Sequence, residues 1–153
     1  MTPVIVNHKE IPEAVIGQEM QYHPAQSRQE AWQRAAEALV LRELLLQEAH
    51  REAVAQIDND EAELIDSLLA RVIRVDAPGE EACREFYAAQ AHRLLGPDGQ
   101  TLPYDDVALI IRGELEARSC RQAVTVYLQK LVAGSNIRGI QMGKTWLPVI
   151  SMN

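Results

Sequence analysis

The sequence predicts a mainly α-helical fold, a compact domain of about five helices whose short strands, one near each terminus, pair with each other. Aromatic residues make up 5% of the 153 residues and Phe86 is the single phenylalanine. Leu, Val, Ile and Ala must therefore build most of the core, a composition that favours helices. Residues 31–54 have the pattern of a helix that is amphipathic in its first and last turns and apolar around almost the whole circumference in its middle, and short β-branched or alternating runs lie near the two ends of the chain. Together these observations predict the fold class.

Residues 4–6, Val-Ile-Val, form a β-branched run that predicts a short strand, followed by a turn at residues 7–10. Pro12 suits the first turn of a helix, and that helix should fade at residues 21–23, because a residue before a proline is displaced from the helical region. Ser27 then has the sequence context of an N-cap, with Glu30 completing a capping box.

The helix that begins at Ser27 is predicted to be the hub of the fold and to end near residue 55. Its central apolar residues point in almost every direction: Leu39, Val40, Leu41, Leu44, Leu45 and Leu46. A helix that is apolar all round must be covered on several sides, so the other segments are expected to pack around it. Glu43, Glu48 and Glu52 have the spacing of a solvated helix face, paired with arginine or water.

After a break at residues 58–60, Asp60 and Glu63 form a second potential capping box that starts a helix over residues 61–71. Acidic residues near its start favour a further helix over residues 78–95, with an extended segment at 72–75 between the two.

The turn at residues 96–99, Gly-Pro-Asp-Gly, is the strongest break in the chain. Helical spacing of apolar residues then predicts a long helix over residues 104–133, capped by Gly134. Its apolar positions are Val107, Ile110, Ile111, Leu115, Cys120, Val124, Tyr127, Leu128 and Leu131. Residues 136–142 alternate partly and predict a second strand, which should pair with the first because isolated short strands are unstable.

Composition limits the partners and the compartment. The formal charge is −7, and an acidic surface repels phosphate backbones, so no nucleic-acid partner is expected. The hub helix is too short and too charged at its ends to span a membrane. No secretory signal is recognisable in the first residues, so a cytoplasmic location is expected, with Cys83 and Cys120 as reduced thiols.

No catalytic, metal or cofactor site is predicted from the residues themselves. The four histidines fall in no defensible ligand spacing and are expected to be solvated, and the two cysteines form no CxxC. No nucleophile elbow, phosphate loop or dinucleotide fingerprint occurs. Trp32 and Tyr22 remain open between two roles, contact with an apolar partner or packing of the protein's own core.

The order of the segments resembles a known family. VIVNHKEIPEAVIGQEMQYHP, RAAEALVLRELLLQEA and DEAELIDSLLARVIRVDAPGEEACREFYAAQAHRL resemble the N-terminal region of bacterial parvulin-type peptidyl-prolyl isomerases, above all the cytoplasmic nitrogenase-maturation parvulins and more distantly the SurA-type chaperones. LPYDDVALIIRGELEARSCRQAVTVYLQKLVAGSNIRGIQM resembles the segment that follows the isomerase domain in that family.

The resemblance implies one SurA-N-like, chaperone-like domain over residues 1–153, assembled from residues 1–95 and 100–142, with residues 143–153 as an apolar tail. The catalytic parvulin domain of the family would be inserted at residues 96–99, where this chain has only a turn. No catalytic residue of the family therefore has a counterpart here.

The expected function is a non-catalytic chaperone or folding-helper domain that binds apolar segments of unfolded or immature client proteins. The client groove is expected to be edged by Met20, Tyr22, Phe86 and Tyr87, with Trp32 as a further contact. One alternative is a homodimeric assembly adaptor with one dedicated protein partner, its tail docked on a neighbouring chain. Another is an active isomerase, which would need a proline pocket that the missing insertion normally supplies.

Overall fold

A computed structural model describes residues 3–52 and 60–143, and within them the chain is mainly helical, as predicted. In chain order the elements are β1 (Val4–Val6), β2 (Lys9–Ile11), α1 (Glu13–Glu19), α2 (Arg28–Arg51), α3 (Glu61–Val72), α4 (Glu80–Gln90), α5 (Tyr104–Ala133) and β3 (Ile137–Arg138). Short 3-10 turns follow α1 at Met20–Tyr22 and α4 at Ala91–Arg93. The predicted end of the hub helix and the apolar tail lie outside the described residues.

The hub helix α2 starts where the capping box predicts. The Ser27 hydroxyl accepts a hydrogen bond from the Glu30 backbone N–H at 3.0 Å, while the Glu30 carboxylate accepts one from the Gln26 N–H at 3.3 Å. α2 contacts α1, α3, α5 and β1, so the other elements surround it. All six central apolar residues are buried, as predicted: Leu39, Val40, Leu41, Leu44, Leu45 and Leu46.

The predicted pairing of the terminal strands is confirmed. β1 pairs antiparallel with β3, with Val6 opposite Ile137, and lies in the middle of a three-stranded sheet of order β2-β1-β3. The third strand, β2, corrects the predicted turn at residues 7–10. The chain reverses over Asn7 and His8, whose φ angles of 50° and 79° suit a two-residue hairpin turn. The charged residues that follow occupy an exposed edge strand, where charges are well tolerated.

Two close approaches hold the chain ends together. The Asn7 N–H donates to the Asn136 carbonyl at 2.9 Å, and the Asn136 N–H donates to the Asn7 side-chain oxygen at 2.8 Å. Gly139 has a φ of 84°, and a Cβ added there would lie 2.0 Å from the Pro3 carbonyl oxygen. Only glycine fits this position without moving the backbone.

Two carboxylates of α2 are buried, which corrects the solvated face predicted for Glu43. Glu43 is 9% exposed, lies 3.4 Å from the Lys9 ammonium and accepts a hydrogen bond from Gln47 at 3.2 Å. Glu37 is 1% exposed and accepts a hydrogen bond from the Gly143 N–H at 2.7 Å. A helix covered on every side leaves its polar side chains little water, so they bond to the elements that cover it.

The buried apolar residues separate into two regions. The body consists of β1–β3, α1–α3 and the part of α5 from Val124 onward, and it holds two clusters that share the residues Leu131, Val132 and Met142. The arm consists of α4, residues 91–103 and the start of α5 up to Leu115, and its cluster shares no residue with the other two. α5 has 30 residues and a length of about 45 Å, so it joins both regions.

Candidate functional site

The arm has a small core of its own. Cys83, Val107 and Ile111 are buried between α4 and α5. Partly buried apolar residues surround them: Phe86, Tyr87, Leu94, Leu102, Tyr104 and Leu115. α4 ends at Gln90, earlier than the predicted residue 95, because the chain tightens into the 3-10 turn that follows.

The predicted turn closes the arm. Leu95 and Thr101 face each other in an antiparallel bridge, and the Gly99 N–H donates to the Gly96 carbonyl at 3.0 Å. Gly99 has a φ of 78°, a value that glycine adopts without strain. The two sides of the arm therefore meet in a tight surface turn at the place where the resemblance expects an insertion.

Tyr87 and Phe86 are structural contacts of the arm. The Tyr87 hydroxyl donates to the Leu102 carbonyl at 2.5 Å, and its ring meets the Tyr104 ring edge to face, with centroids 5.5 Å apart. The Arg118 guanidinium lies 5.2 Å from the centroid of the Phe86 ring. Removing either aromatic ring would therefore disturb packing as well as any contact with a client.

Tyr104 lies at the edge of this aromatic group. The Arg84 guanidinium is 4.3 Å from its ring centroid. Desolvation, followed by the hydrogen bond and negative charge of Glu80, raises the pKa of Tyr104 above its usual value of 10.0. The ring of Tyr104 is thus a packing group of the arm, in contact with Tyr87 and Arg84.

The largest exposed aliphatic side chains of the arm lie next to each other on α5. Leu109 is 83% exposed and Ile110 is 70% exposed, and Leu95, beside the turn, is 49% exposed. In the sequence, Ile110 belongs to the regularly spaced apolar residues of this helix, whereas Leu109 lies outside that pattern. Single exposed aliphatic residues are ordinary on a protein surface, but Leu109 and Ile110 together form a continuous exposed apolar surface on α5.

The two ends of α5 bury different sides of the helix. Leu109 and Ile110 precede Tyr127 and Leu128 by eighteen residues, which is about five helical turns, so the two pairs lie on the same side. Tyr127 and Leu128 pack into the body, whereas the same side in the arm is uncovered. Small residues continue this side between the two regions. We call this surface the α5 stripe: Leu109, Ile110, Gly113, Ala117 and Cys120.

The second candidate surface is a shallow cavity of about 270 Å³ on the body. Its apolar lining comes from α1, α2 and β2, and includes Ile11, Val15 and Leu39. Two ion pairs cross its rim. The Lys9 ammonium lies 3.4 Å from Glu43, and the Arg42 guanidinium lies 2.9 Å from Glu61. These four charges of the lining are thus already paired within the chain, whereas Glu10, which also lines the cavity, belongs to neither pair.

The structure does not bring the five predicted client-binding residues together. Met20 and Trp32 pack against the first cluster of the body, and the Trp32 indole N–H donates to Glu13 at 2.9 Å. Tyr22 is 69% exposed, whereas Phe86 and Tyr87 belong to the core of the arm. The proximity of these residues was inferred from apolar character near helix ends, a signal that carries no information on which cluster each side chain joins.

The part of the chain that the structure describes contains no group of three or more histidine, cysteine or acidic residues that could hold a metal ion. Within the same residues, none of the helices combines the length and the apolar character that crossing a membrane requires. Both described cysteines are free thiols, buried at Cys83 and half-buried at Cys120.

Two buried carboxylates are the functional-looking groups of the fold: no sequence signal marks Glu37, and the spacing of Glu43 predicts a solvated position. Glu37 and Glu43 would attract attention in an enzyme, but Glu37 bonds to Gly143 and Glu43 to Lys9, contacts that connect α2 to the terminal segments, and Glu43 also accepts from Gln47 on α2 itself. These bonds of the buried carboxylates therefore stabilise the fold.

Comparison with protein-family models, with curated proteins and with solved structures finds no match for this chain.

Proposed function

We propose that this chain is a non-catalytic chaperone or folding-helper domain, located in the cytoplasm, that binds apolar segments of client proteins. The observation that supports the proposal best is the exposed pair Leu109 and Ile110 on the α5 stripe. The pair lies on the outer part of a helix whose other end packs in the body, so the body holds the helix that carries the stripe.

The strength of such binding follows from the side chains involved. Burying one large aliphatic side chain contributes about 1.5–3 kcal/mol, and ordering the bound segment offsets part of that. Leu109 and Ile110 together would therefore give weak, readily reversible binding. Weak binding suits a protein that must release its clients without covalent chemistry.

The buried polar groups of the fold are consistent with a non-catalytic role. Glu37 and Glu43 are both engaged in the bonds that join α2 to the ends of the chain. Tyr87 donates its hydroxyl proton to a backbone carbonyl. These groups are occupied by structural partners and do not converge on a common cavity.

The second candidate function is a dimeric assembly adaptor, and the shape of the α5 stripe is the observation that favours it. The stripe carries large side chains at Leu109 and Ile110 and small ones at Gly113, Ala117 and Cys120. Two antiparallel copies would place large residues against small ones, an arrangement that helix pairs use to approach closely.

Suppression of aggregation tests the proposal. A chemically denatured model protein is diluted into buffer with the wild-type chain, with a Leu109→Gln/Ile110→Gln variant, or with a Val126→Gln control, and light scattering is followed. Glutamine keeps the helix propensity of α5, and Val126 is also exposed, at 42%, but lies on the opposite side of the helix from the stripe.

We expect wild type and the control to suppress scattering and the double variant to lose most of the effect. Equal suppression by all three would remove the stripe from the proposal. No suppression by the wild type would contradict the chaperone function. The oligomeric state of each variant is measured by light scattering after size exclusion. A wild type that is a stable dimer and a double variant that is a monomer would support the adaptor instead.

A further inference from the structure

We infer that the segments bound at the α5 stripe are basic as well as apolar: amphipathic stretches of a client that carry Lys or Arg beside their Leu, Ile or Phe residues. This inference rests on the proposed function and specifies its clients. It follows from the positions of carboxylates that make no ion pair within the described residues and lie beside the exposed apolar pair.

The cations along this part of α5 are engaged within the molecule. The Arg112 guanidinium lies 3.7 Å from Glu80, and the Arg118 guanidinium lies 3.0 Å from Glu114. Arg121 lies 3.7 Å from the same Glu114 carboxylate. Each of these three arginines therefore already has an acidic neighbour on α4 or α5, although Glu80 also pairs with Arg84, and Glu114 serves both Arg118 and Arg121.

Several anions of the same region have no such partner. Asp105, Asp106 and Glu116 make no ion pair or side-chain hydrogen bond within residues 3–52 and 60–143. The first two lie in the opening turn of α5, where the positive end of the helix dipole favours them. Glu116 lies in the middle of the helix, beyond the reach of that effect.

The positions of the unpaired anions place their charge on the stripe. Asp106 precedes Leu109 by three residues and Ile110 by four, so it lies on the same side of the helix one turn earlier. Glu116 follows Leu109 by seven residues, about two turns later along the same edge. The exposed apolar pair is thus bordered by a carboxylate on either side along the helix axis.

The stripe has the length and the profile for a short segment. From Asp106 to Cys120 the helix rises by about 21 Å, which matches about four turns of a partner helix. Gly113 lies near its middle with open space where a Cβ would be, so a partner backbone can approach closely there. Lysine or arginine residues flanking an apolar core in the partner would meet Asp106 and Glu116 on either side of Leu109 and Ile110.

Binding of paired peptides to the intact chain, measured by fluorescence anisotropy, tests the inference. Both labelled peptides have Leu at helical spacing. One has Lys and the other Glu at the remaining positions. We expect the Lys peptide to bind the wild type about tenfold more tightly at low salt, with a difference that shrinks as ionic strength rises.

Two double variants separate the local charge from the net charge. Asp106→Asn/Glu116→Gln removes the two carboxylates beside the stripe, and Glu63→Gln/Asp66→Asn removes two exposed carboxylates from α3. The formal net charge changes equally in both. We expect only the first variant to lose most of the preference for the Lys peptide, and the Leu109→Gln/Ile110→Gln variant to lose binding of both peptides.

Equal affinity of the wild type for the two peptides would overturn the inference, as would an equal loss of preference in the α3 variant. If neither peptide binds while the wild type still suppresses aggregation, the inference is wrong and the proposed function stands. If aggregation is not suppressed either, both fail. A wild-type dimer that the Leu109→Gln/Ile110→Gln variant abolishes would overturn the inference by identifying a second copy as the occupant.

Discussion

The body and the arm are stabilised in different ways. In the body, two clusters of buried apolar residues surround α2, and buried side-chain bonds from Glu37 and Gln47 join that helix to the terminal segments. In the arm, three buried residues lie between two helices, and the aromatic contacts around Tyr87 supply much of the rest. The arm therefore has the smaller reserve of stability, and it also carries the exposed apolar pair.

This difference has a physical consequence for binding. Elements with few buried contacts open at a lower free energy than the core of the same protein. A binding surface supported by such an element can adjust to different segments, while the body preserves the fold. The comparison thus separates a stable scaffold from an adaptable contact surface within a single chain.

Leu44→Ala should have the largest effect. Leu44 is 3% exposed in the first cluster of the body, so truncation leaves a cavity beside α2 and should lower the free energy of unfolding by about 2–5 kcal/mol. Urea unfolding followed by far-UV circular dichroism measures the loss. A loss below about 1 kcal/mol would mean that α2 is less central than its contacts indicate.

Ile111→Ala is the matched change in the arm. Ile111 is 1% exposed, and its truncation should cost about the same locally, but the cost should appear as faster amide exchange in α4 and the start of α5. The amides in the middle of α2 should keep their protection. Equal acceleration of exchange in α2 would show that body and arm unfold as one unit.

Gly139→Ala and Gly99→Ala compare the two regions at similar backbone angles. Both glycines have φ near +80°, and an alanine there costs about 1–2 kcal/mol. At Gly139 the new Cβ would also meet the Pro3 carbonyl, whereas at Gly99 there is open space. We expect the body variant to lose clearly more stability in thermal unfolding. Equal losses would contradict the close approach of the chain ends.

Tyr87→Phe should lower the stability of the arm by about 1 kcal/mol, because it removes a hydroxyl that donates to the Leu102 carbonyl. Tyr127→Phe in the body is the control. The Tyr127 hydroxyl is buried without a hydrogen-bond partner among the described residues, so its removal should be neutral or slightly stabilising. Urea titrations of both variants measure the two changes in stability. A larger loss of stability in Tyr127→Phe than in Tyr87→Phe would contradict the prediction.

Gly79→Ser should have the smallest effect, a gain of about 0.3 kcal/mol in the arm. Gly79 is the N-cap of α4, has an extended backbone and offers open space for a side chain, so a serine hydroxyl there can accept from the first turn. The reverse change, Ser27→Gly at the N-cap of α2, should lower the stability of that helix by about the same amount. Amide exchange in each helix measures the two effects. Weaker protection of the α4 amides in the Gly79→Ser variant than in the wild type would contradict the predicted N-cap hydrogen bond.

Most of the fold is predictable from the sequence because its signals are local. The apolar girdle of α2 requires cover on all sides, and the capping box locates its first turn. β2 was read as a turn because two of its three residues are charged and exposed, a pattern that an edge strand shares with a loop. Glu43 was assigned to solvent because helical spacing alone does not show which neighbouring element covers a side chain.

The candidate surface was less predictable, since it depends on how α5 is shared between two regions. Regular spacing marks Ile110 as apolar but does not show that the buried side of the helix changes between Ile111 and Leu128. That change follows from where the body ends, a property of the tertiary structure. For Tyr22 the sequence leaves both roles open, and the structure places its side chain on the surface.

The pairing of β1 with β3 has a consequence for the order of events during synthesis. Val6 cannot pair with Ile137 until Ile137 has been synthesised. At about 5–20 residues per second, the time between the synthesis of the two residues is roughly 7–25 s. The elements of the arm, α4 and the start of α5, are close in sequence and are synthesised well before β3. On the ribosome the arm can therefore form before the body is complete. Throughout that time β1 lacks its partner strand β3, and its apolar side chains are not yet buried.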